Sequence, residues 1–125
     1  MTEKDNFISI YHISFIISNL ENSLEFYASV LGLEIDESRP ELSFDGYWLT
    51  INDTQQIHLL LVDNVDPKAR PEHGGRDRHA AFKVRDLSSI ALRLNDNNIS
   101  YTMSKSGRKA LFVRDPDGNT LELMQ

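Results

Sequence analysis

Residues 8–17 form a run of β-branched and aromatic side chains that reads as a buried strand. Asn19 is a suitable helix N-cap. Leu20, Leu24, Tyr27 and Leu31 then recur at helical spacing, which predicts a helix from Leu20 to Leu31. Gly32 would stop that helix at its C′ position. Three strand-like runs follow: residues 33–38, ended near Pro40; residues 44–51, containing Tyr47, Trp48 and Leu49; and residues 56–62, after a turn at Asn52-Asp53-Thr54. Residues 63–77 collect Asp63, Asn64, Asp66, Pro67, Pro71, Gly74 and Gly75, and read as a linker. The same order then recurs. A strand over residues 78–84 leads to a helix over residues 87–95, capped by Asp86 and ended at Asn97-Asn98. Strands over residues 99–103 and 108–113 follow, then a strong turn at Asp115-Pro116-Asp117-Gly118-Asn119 and a last strand over residues 120–124. The expected fold class is α+β, one domain over residues 1–125 built from two βαβββ modules, about 8–62 and 78–125, joined by linker 63–77.

The duplication is visible in the letters. Tyr11-His12-Ile13-Ser14-Phe15-Ile16-Ile17 is followed by Asn19-Leu20, and Arg78-His79-Ala80-Ala81-Phe82-Lys83-Val84 by Asp86-Leu87. In each copy Phe follows His by three positions, and His12 and His79 stand 67 positions apart, about half of the 125 residues. Self-similarity at that offset marks a duplicated supersecondary unit.

Composition narrows the function. The chain is 40% hydrophobic, enough for one real core. A net charge of −6 with no basic stripe argues against nucleic acid as partner. Cysteine is absent, which removes disulfides, thiolate metal sites and Cys nucleophiles, and fits a reducing, cytoplasmic setting. No apolar run approaches about 20 residues, so no membrane span is expected. The polar stretch Met1–Asn6 lacks the apolar segment of a signal peptide. Gly74-Gly75 lacks the Lys-Ser/Thr of a phosphate loop, and no G-x-S-x-G supports a serine nucleophile.

What remains is histidine and carboxylate chemistry. His12 and His79 open the first strands of the two modules. His58, in Gln56-Ile57-His58-Leu59-Leu60, lies in the last strand of module one, and Glu122, between Leu121 and Leu123, in the last strand of module two. The spacings within the modules, 46 and 43 residues, agree. A pseudo-twofold axis between the modules would bring all four groups together. A carboxylate in an apolar strand is costly to bury unless it is paired or metal-bound. Imidazole with carboxylate suits Zn, Ni, Mn or Fe(II). Strand alternation equally allows Glu122 to face solvent with both leucines inward. His73, in the linker, reads as a loop residue, and Glu21 and Glu25 as part of a solvated helix face. Trp48 is a candidate wall residue of a substrate pocket, and Arg76, Arg78 and Arg108 are cations available to an anionic substrate.

The chain resembles the vicinal-oxygen-chelate superfamily of glyoxalase I, fosfomycin-resistance transferases, extradiol dioxygenases and bleomycin-resistance proteins. The likeness is carried by Tyr11–Phe15, Ser23–Tyr27 with Leu31-Gly32-Leu33, His79–Phe82 and Asp115–Leu123. It implies an open, cup-shaped mixed sheet with a divalent metal in the cup. His12, His79 and Glu122 match ligand positions, and the His58 position holds Glu in glyoxalase I, so one carboxylate stands here where that scheme has two. It also implies a site aromatic at Phe112, Glu122 as the catalytic base, a small substrate chelating through adjacent oxygens, and lyase or isomerase chemistry. A homodimer with sites shared across chains is expected. The alternatives are a metal-free ligand-binding protein of the bleomycin-resistance kind, a fosfomycin-type thiol transferase, and an extradiol dioxygenase. The sequence stops three residues after Glu122, which sets the expectation against thiol transfer, and extradiol enzymes usually carry four modules.

Overall fold

The computed structural model describes residues 3–125; Met1 and Thr2, at the head of the expected domain and of its polar N-terminus, lie outside the described residues. The first half is β1 (His12–Ile17), α1 (Leu20–Leu24) continued by a π-helical turn (Glu25–Val30), β2 (Glu34–Ile35), β3 (Gly46–Thr50) and β4 (Gln56–Leu61). The second half, after a 3₁₀ turn at Gly74–Arg76, is β5 (His79–Lys83), α2 (Leu87–Asp96), β6 (Tyr101–Met103), β7 (Ala110–Arg114) and β8 (Thr120–Met124). The strands form two four-stranded mixed sheets of the same design, β1-β4-β3-β2 and β5-β8-β7-β6. In each, the first strand pairs parallel to the last and the other pairs are antiparallel. This is the α+β architecture of two βαβββ units that the periodicity predicts.

The differences from the sequence reading are at the edges. β1 begins at His12 rather than at residue 8, because its neighbour β4 begins at Gln56, the partner of His12. Residues 8–11 have no strand beside them and lie exposed rather than buried. β2 shrinks to two residues because Asp36 accepts from the backbone N–H of Ser38 (2.9 Å) and turns the chain out of the sheet. The first helix widens after Leu24: the N–H of Leu31 donates to the carbonyl of Phe26 at 3.0 Å, an i→i+5 bond. That wider turn rotates the buried stripe. Ser23, Phe26, Tyr27 and Val30 face inward, while Leu20, Leu24 and Leu31 are only half-buried. Asn19 and Asp86 cap their helices as expected, accepting from the N–H groups of Asn22 and Ser89. Gly32 ends the first helix at φ +82°, a left-handed conformation that glycine adopts without strain.

One core serves both halves. Leu49, Ile57 and Leu59 of the first sheet and Leu111, Val113, Leu121 and Leu123 of the second pack with Phe26, Tyr27, Leu87 and Leu94 of the helices. Each such side chain contributes about 1.5–3 kcal/mol on burial. The halves are also joined by polar groups. Asn119 Nδ2 donates to the carbonyl of Ile16 (2.9 Å), and the Tyr27 hydroxyl donates to Asp115 Oδ2 (2.7 Å). β1 and β5 face each other across a seam. One cleft there is lined by His12 together with Ala81, Phe82 and Lys83, and another by His79 together with Ser14, Phe15 and Ile16.

Close approach fixes one glycine. A Cβ on Gly46 would stand 1.9 Å from the carbonyl oxygen of Leu59, so β3 and β4 could not keep their spacing. Gly46→Ala is expected to lower stability by on the order of 2 kcal/mol or more, seen as a reduced urea midpoint.

The linker is clamped by charge. Asp77 Oδ2 accepts from Arg114 Nη1 (2.7 Å) and Arg70 Nε (2.8 Å), and Arg114 also donates to Gly118 and Thr120. Burial alone would raise the Asp77 pKa. The hydrogen bonds from Arg114 and Arg70 outweigh it and hold the carboxyl at about 2. A depressed carboxylate pKa adds stability that is present above the unfolded value near 4 and is lost as pH falls through the folded one. Stability should therefore decline between about pH 4 and pH 2. Asp77→Asn should flatten that decline and cost on the order of 2 kcal/mol at neutral pH.

Candidate functional site

Strand alternation decides which side chains can meet. In β4, Ile57 and Leu59 enter the core, so His58 points to the opposite face; in β3, Leu49 does so and leaves Trp48 on the face of His58. In β8, Leu121 and Leu123 enter the core, and in β7, Leu111 and Val113, so Glu122 and Phe112 share the opposite face. That face is covered as well: the Glu122 side chain is only 6% exposed. The solvent-facing orientation that alternation allowed is not adopted.

The two sheets present the same constellation. His12 is the register partner of Gln56, and His58 lies two residues further along β4. His79 is the partner of Thr120, and Glu122 lies two residues further along β8. Directly opposite His58 is Trp48, and directly opposite Glu122 is Phe112. Each half thus carries two potential metal donors on a diagonal, with an aromatic facing the second donor. The equivalence of Trp48 and Phe112 was available in the sequence as a 64-residue offset between the last strands, and follows only once that register is known.

In the first half the three rings stack. The His12 and His58 ring centroids are 3.9 Å apart at 14°, and Trp48 lies on the other side of His58 at 4.5 Å and 6°. His58 Nε2 contacts Gln56 Oε1 at 2.9 Å, and Gln56 Nε2 donates to Asp36 Oδ2 at 2.6 Å. Burial, the neighbouring His12 and Arg39 lower the His58 pKa to about 4, leaving a neutral imidazole at pH 7. A neutral imidazole is the form that binds a metal.

In the second half, His79 Nε2 stands 3.1 Å from Glu122 Oε1. His79 Nδ1 donates to the carbonyl of Asp77 at 2.8 Å, which orients the ring and turns Nε2 toward the carboxylate. Glu122 Oε2 accepts from Arg108 Nη2 at 3.1 Å, and Arg108 Nε donates to Ser106 Oγ at 3.0 Å. Phe112 meets the edges of both His79 and His73, each at 5.1 Å between centroids. His73 Nδ1 contacts Thr102 Oγ1 at 2.8 Å, which gives this linker histidine a structural partner beside the site. Arg78 is paired with Asp66, and Arg108 is engaged by Glu122 rather than free for a substrate.

The four candidate ligands therefore come as two pairs, His12 with His58 and His79 with Glu122. Among the described residues of one chain, no group of three or more His, Asp or Glu side chains is placed to hold an ion. The seam gives the reason. His12 lines a cleft that meets Ala81–Lys83 of β5, and His79 lines another that meets Ser14–Ile16 of β1, so the two pairs border different clefts of the seam. In donor chemistry the residues fit a divalent metal. Three imidazoles and a buried carboxylate supply suitable donor atoms, and with His79 Nδ1 donating to the Asp77 carbonyl the 3.1 Å contact of Nε2 with Oε1 needs a proton or a cation between two acceptor atoms.

Residues 9–123 match the family model of the Glyoxalase/Bleomycin resistance protein/Dioxygenase superfamily. The chain is 31% identical to Glyoxylase I 4 of Arabidopsis thaliana over 92% of its own length and 69% of that protein's. It is 29% identical to the metallothiol transferase FosB of Staphylococcus epidermidis, over 91% of this chain and 81% of the other. Among solved structures, a glyoxalase/dioxygenase from Nostoc punctiforme superposes with a TM-score of 0.76 at 19% identity, covering 98% of this chain and 94% of that one.

Proposed function

The chain belongs to the Glyoxalase/Bleomycin resistance protein/Dioxygenase superfamily, and we propose that it is a divalent-metal-dependent, glyoxalase-like enzyme acting on a small substrate that chelates through adjacent oxygens. Lyase or isomerase chemistry is the reading favoured by its glyoxalase relatives, which include two proteins of Neisseria meningitidis named lactoylglutathione lyase. The observation that carries it is the contact of His79 with the buried carboxylate of Glu122, matched in register by His12 with His58. In this reading the metal, whether Zn, Ni, Mn or Fe(II), is held by His12 and His58 of one chain and His79 and Glu122 of its partner in a homodimer. When bound, it would supply Lewis-acid stabilisation of a developing negative oxygen.

The chain's own residues supply the rest. Glu122, with an orienting imidazole on one oxygen and Arg108 on the other, is placed to accept a proton from an acidified carbon. Trp48, opposite His58, and Phe112, opposite Glu122, would each wall one half of the cup. Asp77 fixes the His79 ring through its carbonyl.

A second reading has one observation in its favour. Arg108 already supplies Glu122 with a cation inside the chain, so a metal-free ligand-binding protein would leave no charge uncompensated. Calorimetric titration of chelator-stripped protein with Zn, Ni, Mn and Fe(II) separates the two. The enzyme reading expects one ion per four-donor site, with affinity lost in both His12→Ala and His79→Ala. Failure to bind any of the four ions leaves the binding-protein reading.

A further inference from the structure

The segment Phe7–Tyr11 is an apolar arm most of whose side-chain surface the chain leaves bare. Phe7 is 94% exposed, Ile8 93%, Ile10 64% and Tyr11 71%, on a protein of net charge −6. A run of large apolar side chains this exposed marks an interaction surface rather than scattered surface hydrophobes. The arm's backbone is held at its base: Gln55 Nε2 donates to the carbonyl of Ile10 at 3.3 Å, and the N–H of Gln56 to that of Tyr11 at 3.1 Å. These bonds fix its direction and leave its side chains outside.

The repeat shows what such a segment does when it has a seat. Residues 7–11 correspond to residues 74–78 by the offset that relates His12 to His79. There the chain packs tightly onto β7 and β8: a Cβ on Gly74 would lie 2.6 Å from Thr120 Cγ2 and 3.0 Å from Phe112 Cβ. Module two thus buries the start of its own lead-in segment at Gly74, whereas the equivalent residue of module one, Phe7, stays bare.

The occupant follows from the site. Tyr11 precedes His12, and its ring meets the His12 ring edge-on at 5.8 Å, so whatever the arm lies against sets where His12 is placed. Among the described residues, no third His, Asp or Glu joins His12 and His58 to complete a site within their own chain. We infer that Phe7–Tyr11 docks on module two of a second copy of this chain, and that this docking brings His12 to the partner's His79 and Glu122. The inference rests on the two-chain site proposed above, and it assigns the recognition element that assembles it.

Sedimentation velocity over a concentration series tests it, comparing wild type, a Phe7→Glu/Ile8→Glu double variant, and Val65→Glu, another apolar residue that is 88% exposed. All three side chains are solvent-facing, so circular dichroism and thermal midpoints should be unchanged. The expected result is a wild-type dimer, a dissociation constant raised at least ~30-fold in the double variant, and no change in Val65→Glu. Three outcomes overturn the inference: a wild type that stays monomeric at every concentration, a double variant that dimerises as wild type does, or equal weakening in Val65→Glu. Metal titration keeps the two readings apart. A metal-binding dimer indifferent to the arm removes only this inference, whereas an arm-dependent dimer that binds no metal removes only the metal.

Discussion

Glu122→Gln is expected to lower the affinity for a divalent metal by about a hundredfold or more while leaving the fold intact. The amide keeps the volume of the carboxylate between His79 and Arg108 but carries no charge. Of the four donors, Glu122 is the one that contributes a formal charge, so its loss removes the largest electrostatic part of the site. Folding should suffer little. The charged partner left behind, Arg108, has a side chain that is 54% exposed and returns to water, while the amide in the buried position keeps hydrogen-bonding capacity toward His79. Isothermal titration reports the first quantity and a urea midpoint the second. Unchanged metal affinity in this variant would take Glu122 out of the site. A large fall in the midpoint would show instead that the Arg108 pair is what Glu122 is for.

The sequence carried the architecture because apolar spacing and turn chemistry are local properties. The strand cores around Leu49, Leu59, Phe82 and Leu121, the caps Asn19 and Asp86, and the stop at Gly32 all follow from rules that act within a few residues. The register equivalence of the two halves was implicit in His12 and His79 and in the matched spacings to His58 and Glu122. Three things were not legible. The π-helical turn at Glu25–Val30 depends on how Phe26 and Tyr27 settle into a core built from both halves, which no helical period encodes. The separation of the donors into two pairs depends on the orientation of β1 against β5 across the seam, a tertiary relation with no local signature. The exposure of residues 8–11 depends on where β4 begins, so their apolar letters predict burial for the wrong reason: the period shows which side chains want cover, and says nothing about which surface provides it.

Asp115→Ala is expected to cost about 3–5 kcal/mol, a large share of the roughly 5–15 kcal/mol of a small domain. The sequence shows Asp115–Asn119 as a turn, and the structure shows the turn to be a knot between the two halves. Asp115, 5% exposed, accepts from the Tyr27 hydroxyl at 2.7 Å and, each at 2.9 Å, from the N–H groups of Asp117 and Asn119 and from Asn119 Nδ2. Asn119 in turn donates to the carbonyl of Ile16 in β1. Removing the carboxylate strands a fully buried tyrosine hydroxyl and an asparagine amide, and an unpaired buried donor costs more than its bond contributed. Tyr27→Phe removes one donor and leaves Asp115 three, so a loss of about 1 kcal/mol is expected. Adding Tyr27→Phe to Asp115→Ala should cost less than adding it to wild type, because the stranded hydroxyl is then gone; urea midpoints of the four proteins measure that coupling. Additive losses would mean that the two residues act separately. The coupling also bears on the site, since the knot holds the first helix and β1 against the turn that joins β7 to β8, the strands that carry Phe112 and Glu122. A loosened knot should therefore weaken metal binding even in a variant that keeps every candidate ligand.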